Sequence, residues 1–149
     1  ITPPVQFVLE QLGSSAAPDA FMLLYVNSPL RRDAHIRHAV DTMRIFGSDS
    51  VISVYEDLAT HYQHVGSGLR PLFPRRSLRL EQEGLWVENG AIYLARVQHL
   101  GSSDYLGERI GHIAMLERES LQIDAEEDVL LVETLLACHK RAGALAIDA

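Results

Sequence analysis

The sequence predicts an α/β domain with three layers built around a mostly parallel sheet. Two apolar runs and the order of elements around them carry this reading. Phe21-Met22-Leu23-Leu24-Tyr25-Val26 is continuously apolar, the pattern of a strand covered on both faces, and Val51-Ile52-Ser53-Val54-Tyr55 is a second such run. Each follows a segment of helical periodicity across a short connection, which is the helix–strand–helix–strand order of a parallel sheet. At 149 residues the chain fits a single domain over 1–149. A domain of that size hides roughly 70% of its unfolded surface.

Thr2 followed by Pro3 and Pro4 marks a helix start, since proline is tolerated where the amide has no helical partner. Val5, Val8, Leu9 and Leu12 then share one face, and Gly13 can close the helix. The first strand, 21–26, ends at Asn27-Ser28-Pro29. A second helix starts near Asp33 with Ile36, Ala39, Val40 and Met43 on one face and Gly47 as its cap. The second strand covers 51–55. From 56 to 88 the pattern loosens, with Gly66, Gly68, Pro71, Pro74 and four arginines, a stretch long enough to be a functional loop or an interaction arm. Ala91 to Ala95 resumes as a strand, and 110–116 is another. Asp124 opens a last helix, with Glu127 at the capping-box spacing and an apolar face of Val129, Val132, Leu135 and Leu136.

Composition excludes several partners. A net charge of −7 disfavours nucleic acid and anionic membrane surfaces, because neither gains from meeting a negative protein. No apolar run approaches the roughly 20 residues of a membrane span. The lone Cys138 forms no internal disulfide and suits a reducing compartment, so a cytoplasmic location is expected.

Three blocks stand out in order. They are Ser28-Pro29-Leu30-Arg31 after the first strand, Asn89-Gly90-Ala91-Ile92-Tyr93, and Ser120-Leu121-Gln122-Ile123-Asp124 before the acidic start of the last helix. Arg79 lies upstream of the second block. Together these resemble the acylneuraminate cytidylyltransferases, over nearly the whole chain from Thr2 to Ala137. The resemblance implies an α/β fold of the nucleotide-diphospho-sugar transferase type, a homodimer, and a dimerisation arm over 56–88. It also implies attack of a sugar hydroxyl on the α-phosphate of CTP, with magnesium helping pyrophosphate to leave. Arg79, Asn89 and Tyr93 would then face an acidic sugar or CMP-sugar, the guanidinium clamping its carboxylate. Arg31 and Asn27, at the strand end where α/β sheets hold ligands, are candidates for the other side of that pocket. Asp124 would be a metal ligand.

The chain also departs from the family. Its resemblance begins downstream of the family's Gly-, Arg- and Lys-rich triphosphate loop, so an N-terminally truncated fold is expected. Gln122 replaces the first of two metal-holding aspartates, and a neutral amide is a poorer magnesium ligand. The reading is therefore a cytidylyltransferase-like protein that is inactive as the chain stands. The alternative is a non-catalytic, homodimeric sugar-binding or interaction protein.

Each signal also has a plain explanation. Asp124 can be a helix N-cap, and Asn89-Gly90 a turn dipeptide. The Gly66–Arg70 stretch reads as a surface loop. His35 with His38, and His61 with His64, lack a third ligand at a recognisable spacing and read as surface histidines. Cys138 reads as a packing residue.

Overall fold

The computed structural model describes residues 2–12, 18–73, 84–101 and 105–145. Helix α1 spans Thr2–Leu12, followed by β1 (Ala20–Leu23), α2 (Asp33–Phe46) and β2 (Ser50–Asp57). A small hairpin, β3 (Tyr62–His64) and β4 (Leu69–Pro71), precedes the long β5 (Leu85–Arg96). Then come a 3-10 turn (Val97–His99), β6 (Ile110–Ala114), a second 3-10 turn (Glu117–Glu119) and α3 (Glu126–Leu145).

The main sheet runs β1-β5-β2-β6. It is mixed, which corrects the mostly parallel sheet expected from the sequence. Strand β5 is antiparallel to both β1 and β2, and only the β2–β6 pair is parallel. The apolar runs do mark β1 and β2, but a run buried on both faces does not state the direction of its neighbours. Strand β5 decides that, and its first four residues lie inside the stretch expected to be an arm.

Helix α2 ends as expected, at Gly47 in the left-handed conformation with φ 60°. Its Ala39 and Met43 pack on Val51, Ile92, Leu94 and Ile113 of the sheet, and this cluster is the core. Val51 and Ile92 are wholly buried, each contributing roughly 1.5–3 kcal/mol of burial free energy. The helical face differs from the expected one in that Val40 is exposed while His35 is buried. Among the described side chains of α1 only Val5 is buried, and Val8 and Leu12 lie open to solvent. Cys138, expected to pack, is exposed.

Strand β1 stops at Leu23 instead of running to Val26, and the cause is local. Continuing its register with β5 would set Tyr25 opposite Ala91. Arg31 occupies that position, with its Nη1 donating to the carbonyls of both Tyr25 (3.0 Å) and Ala91 (2.8 Å). The guanidinium replaces the ladder hydrogen bond, and the chain turns away towards Ser28 and Pro29.

The described part of the 56–88 stretch contains regular structure. Its first residues belong to β2 and its last to β5, and between them the Gly66–Ser67–Gly68 stretch is the tip of the β3–β4 hairpin, with Gly66 at φ 82°. Arg79 lies outside the described residues. Among the described residues no helix is long and apolar enough to cross a membrane.

Candidate functional site

The site is built on an irregularity in β5. Two steps along β2, from Ile52 to Val54, correspond to five along β5, from Tyr93 to Glu88. The extra residues of the second sequence block bulge out opposite Ser53, as strands often do beside functional sites. Gly90 makes the bulge feasible with φ 67°, a conformation that most side chains disfavour. Asn89-Gly90 is thus a kink within a strand, not a hairpin turn.

Asn89 is buried and fully engaged. Its Oδ1 accepts from Ser53 Oγ (2.5 Å) and the Ala91 amide (3.1 Å), while its Nδ2 donates to Ser120 Oγ (2.7 Å) and Met115 Sδ (3.4 Å). Two donors and an acceptor oxygen with two partners exhaust its side-chain capacity. Its role in this arrangement is to hold the bulge and the third block together.

The third block closes over the second. Gln122 Nε2 donates to the Asn89 carbonyl at 2.6 Å and lies over Gly90, where a Cβ would collide with it. Asn27, the residue before the first block, joins from the other end, its Nδ2 donating to Asp124 Oδ1 at 3.0 Å and its carbonyl accepting from the Ile123 amide at 2.8 Å. Of the sequence-predicted residues the fold therefore brings together Asn27, Asn89, Tyr93, Asp124 and, behind them, Arg31. Tyr93 sits beside the bulge, its hydroxyl donating to Glu88 Oε1 and its ring edge-on to Tyr25 with centroids 5.7 Å apart. Burial first, and donation to Glu88 second, push its hydroxyl pKa up.

Beside Asn89 and Asp124 lies a cavity of about 420 Å³, whose described lining does not include Asn27, Arg31 or Tyr93. Tyr55, Asn89, Ser120 and Gln122 line it along with four carboxylates, those of Glu88, Glu117, Asp124 and Asp128. The described lining carries no basic side chain.

The last helix does not start as expected. Asp124 is not its cap: Asp128 Oδ2 instead reaches back to the amides of Asp124 (3.0 Å) and Ala125 (2.9 Å), and Glu127 takes no part in this. Asp128 is the third residue of α3, the position from which a short carboxylate reaches the amide preceding the helix. This leaves the Asp124 side chain at the cavity.

These donors do not suit a magnesium ion. A hard cation wants several charged oxygens. Gln122 is neutral and directs an N–H at Asn89, Asp128 is held by two amides, and Asp124 is shared with Asn27. Among the described residues no group of three or more His, Cys, Asp or Glu could hold a metal.

No family model matches the chain. Among curated proteins it is similar to the CMP-N,N'-diacetyllegionaminic acid synthase of Legionella pneumophila, with 28% identity over 131 residues. The relationship is distant, and it is to a cytidylyltransferase. The match covers 83% of this chain and 56% of the relative, so the chain spans little more than half the length of the relative it matches.

Sequence reasoning missed Ser53, Ser120 and Glu88 as parts of this site. Only Ser120 carried a signal, as the first residue of the third block. Ser53 read as an ordinary strand residue, because its importance lies in the bulge opposite it.

Proposed function

We propose that the chain is cytidylyltransferase-like and that its cavity takes the sugar end of a CMP-activated acidic sugar. On this reading the chain by itself holds such a ligand without completing nucleotidyl transfer. The supporting observation is the meeting of the second and third sequence blocks on one cavity wall, with Asn27 tied to Asp124 of the third. The acidic lining would repel a sugar carboxylate in water-poor surroundings, so a counter-charge is required. Arg79 is the residue proposed to supply it. Glu88 would offer its carboxylate to sugar hydroxyls, with Tyr93 donating to that carboxylate from outside the described lining, and Asn89 would shape the site without touching the ligand.

The Gln122–Asn89 bond favours a non-catalytic reading, because it puts a neutral donor where the resemblance expects a metal-holding carboxylate. On that reading the protein is a homodimeric sugar-binding or interaction protein. Strand β1 pairs only with β5 among the described residues, which offers an edge to a second copy.

Calorimetric titration with CMP, CTP and a nine-carbon acidic sugar tests the proposal, alongside pyrophosphate release in the presence of magnesium. Binding of the sugar or of CMP without turnover is the expected result. Turnover abolished by Asp124→Ala would overturn the non-catalytic half. No binding of any of the three would overturn the pocket itself.

A further inference from the structure

Behind the cavity, where α2 begins, three ionisable side chains meet that the proposed function does not use. The residue before α2 is Arg32, which has no acceptor with which to cap the helix. His35, the third helical residue, makes the reverse contact instead: the Arg32 amide donates to its Nδ1 at 3.2 Å. A neutral imidazole has one proton, so accepting at Nδ1 puts it on Nε2. The 3.3 Å approach of Arg32 Nη2 to that nitrogen is therefore between two donors and is not a hydrogen bond. Both donors are drawn by the same acceptor, Glu119. Its Oε1 lies 2.7 Å from Arg32 Nη2 and its Oε2 3.6 Å from His35 Nε2.

His35 and Glu119 are each only 5% exposed. A buried carboxylate persists only when paired, and the pairing here crosses between elements, since Glu119 ends the second 3-10 turn. Its Oε2 also accepts from the Leu116 amide at 3.3 Å. The next residue is Ser120, whose Oγ donates to the Leu116 carbonyl and accepts from Asn89 Nδ2. Two residues on is Gln122, bonded to the Asn89 carbonyl. The cluster thus anchors the segment that forms the cavity wall.

A proton added to His35 must go to Nδ1, where the Arg32 N–H already points. Two donors would then face each other, and the bond at the head of α2 would be lost. We propose that Arg32, His35 and Glu119 form a proton-sensitive latch for the cavity. With His35 neutral the latch pins segment 116–124, and hence Ser120 and Gln122, against Asn89; protonation loosens that wall and weakens retention of a ligand. The ligand half of this inference rests on the function proposed above, while the latch itself does not.

The groups acting on His35 agree with the geometry. Burial lowers its pKa below 6.5, Glu119 on the 3-10 turn opposes this, and Arg32 and His38 add to the lowering. A histidine whose folded value is depressed stabilises the fold fully above its unfolded value of 6.5. That contribution is lost as the pH falls from there towards the folded value.

NMR titration of the full chain between about pH 5 and 8 is the test. It follows the His35 ring and the side-chain amides of Asn89 and Gln122. Their signals should move together, with one midpoint below 6.5. In His35→Gln, which keeps an acceptor for the Arg32 amide but carries no titrating group, the two amides should stay still. In Glu119→Gln, which removes the opposing charge, the shared midpoint should fall further. Amide signals that ignore the His35 midpoint, or that titrate unchanged in His35→Gln, would overturn the latch. Binding of a nine-carbon acidic sugar at both ends of the range supplies the ligand arm, with several-fold weaker binding expected at the acidic end in wild type only. Equal sugar affinity at both ends would overturn the link between latch and cavity. Absence of sugar binding at every pH would count against the proposed function, leaving the NMR titration to decide the latch.

Discussion

The side-chain nitrogen of Gln122 donates a 2.6 Å hydrogen bond to the backbone carbonyl of Asn89, joining residues 33 positions apart across the mouth of the cavity. A glutamine can do this because its amide is a donor. An ionised aspartate or glutamate offers only acceptors and would meet the carbonyl with like polarity. Replacing the Gln122 side chain therefore has a predictable sign. Gln122→Ala should cost about 1–2 kcal/mol in urea unfolding, for a lost bond and an exposed carbonyl. Gln122→Glu should cost more at neutral pH than near pH 4, where about half the carboxyls regain a donor proton. A Glu variant as stable as wild type at neutral pH would show that the bond is not formed in solution.

Gly90 supports the same contact from beneath. Its φ of 67° and the Gln122 amide above it both exclude a side chain. Gly90→Ala should destabilise by about 1–3 kcal/mol, part from backbone strain and part from collision. Removing the obstacle in a Gly90→Ala, Gln122→Ala double variant should recover the collision part alone. Strict additivity of the two losses would mean that the residues do not touch.

Asn89 holds four partners from inside the fold, so its removal strands several buried polar groups at once. Asn89→Ala should cost about 3 kcal/mol or more, one of the larger penalties in the protein. Asn89→Asp should fare little better, because it keeps the acceptors and loses both donors to Ser120 and Met115. Denaturant titration of both variants checks this. A loss below about 1 kcal/mol would remove Asn89 as the organiser of the bulge.

Stronger acid should act through a different residue, Asp49. The amide of Arg109 donates to its Oδ2 at 3.0 Å, and His99 and the Glu108 amide add to it. The Arg109 contact is the largest influence lowering its pKa beneath 3.8. A carboxyl depressed in this way stabilises the fold above its unfolded value and loses that contribution as pH falls through the folded one. Asp49→Asn should therefore show a shallower acid limb below 3.8 than wild type in stability-versus-pH curves. Parallel limbs would exclude Asp49 as a contributor.

Assembly can be tested at β1. Leu23 lies on the strand that has no second partner among the described residues, and Leu23→Lys puts a charge on that edge. Sedimentation equilibrium should show a wild-type dimer that the variant weakens at least tenfold. A wild-type protein that remains monomeric at high concentration would rule out the homodimer.

The sequence by itself determined those features whose causes lie within a few residues. The length of α2 follows from its apolar spacing and from Gly47 just past its end, and the runs at 21–26 and 51–55 locate β1 and β2. The second and third blocks, which meet at the cavity, were also legible, because each is contiguous in the chain. Tertiary structure alone decided what depends on partners far apart. The antiparallel course of β5 is one such feature, and so is the early end of β1, where Arg31 takes the ladder position between Tyr25 and Ala91. The bulge opposite Ser53 has the same origin, since its bonds join residues 36 positions apart. His35 and Asp128 make the point most directly. A histidine on a helix reads as surface, and Glu127 stands at the expected capping position. Burial against Glu119 reverses the first reading, and the reach of the Asp128 carboxylate to the amides of 124 and 125 replaces the second. Local sequence sets which conformations are cheap, but pairing and burial are settled only when distant segments compete for the same hydrogen bonds.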